Sequence, residues 1–90
     1  METNFLNKRV TRQNILDALH EFARQYPNTD TYDSWLQKDA YKYAVHYDGR
    51  IYPPKHILST VTGIPTAKFN GGEQTNRVFR QLGFDVVNKS

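Results

Sequence analysis

Tyr41-Lys42-Tyr43-Ala44-Val45-His46-Tyr47-Asp48-Gly49-Arg50-Ile51-Tyr52 decides how this chain is read. Tyr41, Tyr43, Val45 and Tyr47 alternate with Lys42, Ala44 and His46, the period of two that a pleated strand imposes on its side chains. Asp48-Gly49 follows, a residue pair that tolerates the positive φ angles of a two-residue hairpin turn. Arg50-Ile51-Tyr52 is then the return strand. Such a turn sets Tyr47 opposite Arg50 and His46 opposite Ile51, with Tyr52 near Val45. Two arrangements of the side chains stay open. In one, Tyr43, Val45 and Tyr47 cover the helices while Lys42, His46 and Arg50 form a solvated basic face. In the other, that basic face tracks a nucleic-acid backbone and a tyrosine or Trp35 stacks on a base.

Working upstream, Ile15, Leu16, Leu19, Phe22 and Tyr26 recur at helical spacing, with Arg12, Gln13, Asp17, Glu21 and Arg24 on the other side. The pattern predicts an amphipathic helix over 12–25, capped by Thr11 and ended by Pro27. Residues 1–10 are polar and unpatterned and are expected to be a flexible arm, leaving 11–88 as one globular domain. Residues 28–40 are rich in turn formers around Trp35 and read as a loop with one helical turn near 33–38.

Working downstream, Pro53-Pro54 stops the strand and opens a helix over 54–62 that Gly63 ends. Ile64 to Phe69 reads as a linker. Asn70-Gly71-Gly72 opens a third helix over 72–82, and Phe84 to Val87 reads as a closing strand. The order α-β-β-α-α-β predicts the α+β class, with a small antiparallel or mixed three-stranded sheet packed against three helices. The expected core is Ile15, Leu19, Phe22, Val45, Ile57, Leu58, Val61, Phe79, Leu82 and Phe84.

Ninety residues allow a single domain with a small core. The absence of cysteine excludes a disulfide scaffold, a thiolate metal site and a cysteine nucleophile. No apolar run is long enough for a membrane span and the first residues have no secretory pattern, so a cytoplasmic setting is expected. A net charge of +3 leans towards an anionic partner. His20, His46 and His56 lack metal-ligand spacing, and no nucleophile or phosphate-loop motif is present. The expectation is a protein without catalysis or cofactor.

The run Tyr43 to Leu58, the run Phe69-Asn70-Gly71-Gly72-Glu73-Gln74-Thr75-Asn76-Arg77 and the ending Leu82-Gly83-Phe84-Asp85-Val86-Val87 together carry a resemblance. Across about residues 10–88 the chain resembles a small domain at the N-termini of HNH-type and McrA- and McrB-like restriction endonucleases. The shared elements are Tyr-Pro-Pro-Lys, Phe-x-Gly-Gly and Leu-Gly-Phe in that order. The resemblance implies a non-catalytic specificity module of a restriction or phage-defence system that handles DNA. Two departures stand out. The linker from Gly63 to Lys68 is shorter than the pattern leads one to expect. No nuclease domain follows, so the chain reads as a stand-alone version or an excised domain.

Within that setting the candidate binding residues are Trp35, Lys42, Tyr43, His46, Arg50, Tyr52, Lys55, Lys68, Gly71 and Gly72. Lys55 falls in a first helical turn, where a cation opposes the helix dipole unless an anion joins it. It is either simply solvated or a phosphate seat. Asn70-Gly71-Gly72, just after Lys68, is either a helix cap or a second anion seat made of bare backbone N–H groups. Tyr43, Tyr52 and Trp35 could hold a modified or flipped base. The expected function is recognition of DNA. The alternative is an adaptor that docks a nuclease or ATPase subunit through its aromatic surface.

Overall fold

The computed structural model describes residues 1–26, 43–69 and 72–88. The chain opens with a hairpin, β1 (Glu2–Phe5) and β2 (Lys8–Thr11), turned by Leu6 and Asn7 at φ 48° and 67°. This corrects the flexible arm expected over 1–10. Its register pairs Thr3 with Val10 and Phe5 with Lys8, so these four share one face. Phe5 and Val10 on that face are buried in the main core. On the other face Glu2 and Arg9 form an ion pair.

Helix α1, Arg12–Gln25, starts where its sequence predicts. The Thr11 hydroxyl accepts from the Asn14 N–H, and the Asn14 side chain accepts from the Thr11 N–H, closing a capping box. Ile15, Ala18, Leu19 and Phe22 are its buried stripe. On its solvent side Arg24 donates to Glu21 and holds that carboxyl below its ordinary range, in an exposed pair that adds little stability.

Strands β3 (Tyr43–Tyr47) and β4 (Arg50–Tyr52) pair antiparallel around Asp48 and Gly49, at φ 51° and 77°. The pairs Tyr47–Arg50, His46–Ile51 and Val45–Tyr52 are those expected. Helix α2 (Pro54–Thr62) follows directly and ends at Gly63 in the left-handed conformation. A 3₁₀ turn, Thr66–Lys68, and helix α3, Glu73–Gln81, come next. Strand β5, Asp85–Asn88, returns antiparallel to β3, giving the sheet order β4-β3-β5.

The α+β class therefore holds, but the described elements run β-β-α-β-β-α-α-β. They make two small antiparallel sheets rather than one. The helical turn expected near 33–38 lies outside the described residues. The expected core is buried except for Val61, which is half-buried and packs against it. Phe5, Val10 and Phe69 join it from segments read as arm and linker. Phe5 meets Phe69 edge-to-face at 5.1 Å between ring centroids, which ties the N-terminal hairpin to the end of the 3₁₀ turn. If the hairpin is part of the folding unit, Phe5→Ala should cost about 3–5 kcal/mol in urea denaturation. A cost under about 1 kcal/mol would make the hairpin a peripheral attachment.

Candidate nucleic-acid interface

The hairpin register sorts the candidates by parity. Directly opposed residues share a face, so Arg50 lies on the face of Tyr47, Val45 and Tyr52, and His46 lies on the other with Ile51. The single basic face expected for Lys42, His46 and Arg50 is thus not built. The Arg50 guanidinium turns inward, donates to the Tyr26 carbonyl at 2.5 Å and lies 5.4 Å from the Tyr52 ring centroid. Tyr52 is itself buried and meets Phe22 edge-to-face at 5.7 Å. Both residues belong to the packing between α1 and the hairpin. His46 is exposed but has Asp85 of β5 opposite it, and Ala44 on the same face is fully buried. Tyr43 keeps 39% of its surface exposed and remains available. Trp35, Lys42 and Gly71 lie outside the described residues.

Pro53 caps α2 without a side-chain hydrogen bond, and the first turn holds no acid. Lys55 stands in that turn, half-buried, with its ammonium 5.7 Å from the centroid of the Phe69 ring. Such a cation–π contact stabilises the charge without neutralising it. Lys68 is exposed and immediately precedes Phe69, so the 3₁₀ turn brings the backbone of Lys68 next to the ring that Lys55 covers. Gly72 caps α3 at φ 90° and ψ −144°, a region open essentially to glycine alone. A methyl group there would meet nothing within 4 Å, so the glycine answers a conformational need and not close packing.

The remaining cations divide by type. Arg9, Arg24 and Arg80 pair with Glu2, Glu21 and Glu73. Arg12 donates to the Leu82 carbonyl at 2.7 Å and lies over the Phe84 ring. Among the described residues the side chains of Lys8, Lys55, Lys68 and Arg77 make no ion pair or hydrogen bond. An open groove of about 690 Å³ between β1, β2 and α1 is lined by Arg9 and Arg12, both engaged. Lys8 was missed because its segment carries no clear strand pattern.

Among the described residues no three His, Asp or Glu side chains gather as a metal site. His20 and His46 are exposed on separate elements, and His56 packs edge-to-face on Phe22. No described helix is long and apolar enough to cross a membrane.

Residues 8–88 match the sequence model of a family described as ScoMcrA-like, N-terminal head domain. The chain belongs to that family. The McrA-type part of the resemblance read from Tyr52-Pro53-Pro54-Lys55 and Phe69 to Gly72 thereby stands. No curated protein and no solved structure matches the chain.

One polar side chain of this ScoMcrA-like head domain breaks the rules of its core. Asn76, on the buried side of α3, is 1% exposed, and neither its amide nitrogen nor its amide oxygen has a hydrogen-bond partner among the described residues. An unmet buried amide costs about 1–3 kcal/mol. Asn76→Leu, which keeps the number of side-chain heavy atoms, should therefore leave the midpoint of denaturation unchanged or raise it. A loss of more than about 1 kcal/mol would mean that the amide is satisfied in solution.

Proposed function

We propose that this head domain recognises DNA for a restriction system and carries out no catalysis of its own. Membership of the ScoMcrA-like head-domain family over residues 8–88 carries the reading. The unpaired lysines give it a location. Lys55 would take one phosphate, helped by the uncapped start of α2, and Lys68 a neighbouring one. Tyr43, exposed at the start of the central strand β3, and Trp35 are the aromatics proposed to stack on a modified or unstacked base. Cutting would fall to a separate nuclease, and the partner subunit docked by the domain, in the cytoplasm, would be that nuclease or an ATPase.

The test compares the parent with a Lys55→Glu, Lys68→Glu double variant, shown to be folded by circular dichroism, on plain and base-modified duplexes at two salt concentrations. The double variant should bind more weakly on all sequences, and its salt slope should flatten by about 2. Tyr43→Ala should spare plain duplex and reduce any preference for the modified one. A folded double variant that binds like the parent would remove these lysines from the site. A parent that binds no DNA even at low salt would hand the domain to the adaptor reading.

A further inference from the structure

The chain makes the same tight turn twice. Asp48-Gly49 and Leu6-Asn7 both place two consecutive residues at positive φ: 51° and 77° in the first, 48° and 67° in the second. Asp, Gly and Asn are residues suited to this conformation. Leu6 is not, because its Cβ crowds the following carbonyl oxygen there. The leucine stands outside the core, with 44% of its surface exposed at the hairpin tip. A residue that the turn disfavours and the core does not use calls for a partner.

The neighbouring charge indicates what kind of partner. Lys8 is paired across the turn with Phe5, on the inner face of the hairpin. The Phe5 ring meets Phe69, the Phe69 ring lies under the Lys55 ammonium, and Lys68 precedes Phe69 in the chain. Lysines from β2, α2 and the 3₁₀ turn are thus arrayed about one aromatic pair, their ammonium groups without a hydrogen bond or ion pair among the described residues. We propose that the hairpin tip, Leu6 to Lys8, is a second contact to the same DNA. Lys8 meets a phosphate, and Leu6 supplies the apolar side chain that enters the groove between phosphates. The inference rests on the DNA-recognition reading and adds an element to it.

Leu6→Gly separates binding from folding, because glycine relieves the turn while removing the side chain. On the full chain, it should keep or raise the Tm and weaken binding to a short DNA duplex, plain or base-modified, by about fivefold or more. Lys8→Ala should weaken binding on every sequence and lower the salt slope by about 1. If both variants bind like the parent while the Lys55→Glu, Lys68→Glu variant does not, the hairpin is no DNA contact and the wider reading survives. A fall in Tm for Leu6→Gly with unchanged affinity would give Leu6 a structural role only and end the proposal. A parent that binds no duplex at low salt would overturn both readings.

Discussion

The two positive φ angles at Asp48 and Gly49 orient the strand and the helix downstream of them. A loop of two residues fixes the parity of β4 against β3, and one residue more or less would exchange its faces. With this parity Tyr52 turns towards Phe22, and Arg50 reaches the Tyr26 carbonyl at the end of α1. Pro53 and Pro54 then start α2 with no intervening loop. The helix phase is therefore set by the strand phase. Ile57 and Leu58 are buried, and Lys55 is placed over Phe69.

Where local period and turn chemistry agree, the fold was legible in the sequence. The apolar stripe of α1, the Asp48-Gly49 hairpin, the proline-led α2 and most of the core follow from spacing alone. The N-terminal hairpin does not. Its inner face offers Thr3, Phe5, Lys8 and Val10, only two of them apolar, and its turn uses a leucine. Its stability comes from tertiary burial of Phe5 and Val10, which no local pattern reveals. Among the candidate site residues, Lys55, Lys68 and Tyr43 lie where a ligand could reach them. Arg50 and Tyr52 belong to the packing against α1 instead, because the pairing of Tyr47 with Arg50 turns both to the inner face. Tyr52 has the chemistry of a base platform, but its position makes it core.

Arginine and lysine divide the work in a way their chemistry explains. The guanidinium fork can satisfy a carbonyl and lie over a ring together, and Arg12 does both between Leu82 and Phe84. Arg9, Arg12 and Arg50 tie elements to one another, whereas Arg24 and Arg80 pair within their own helices. The ammonium groups of Lys8, Lys55 and Lys68 tie to no acceptor among the described residues. The positive charge is thus unevenly committed, since the arginines are largely engaged within the fold while these lysines meet no acceptor among the described residues.

Residues that violate local preference help to separate function from folding in so small a domain. Leu6 occupies a left-handed position without being a turn former, Gly72 holds a conformation other residues avoid, and Asn76 is buried with its amide unmet. None of the three is needed to explain α1 or the β3–β4 hairpin. Leu6 is carried by the hairpin whose Phe5 meets Phe69, and Gly72 and Asn76 come soon after Phe69 in the chain. Phe69 is at once a core ring and the support for the Lys55 ammonium. In a domain with a core this small, one ring both packs the core and supports a surface charge. The same aromatic pair that anchors the N-terminal hairpin therefore also fixes where its free lysines stand.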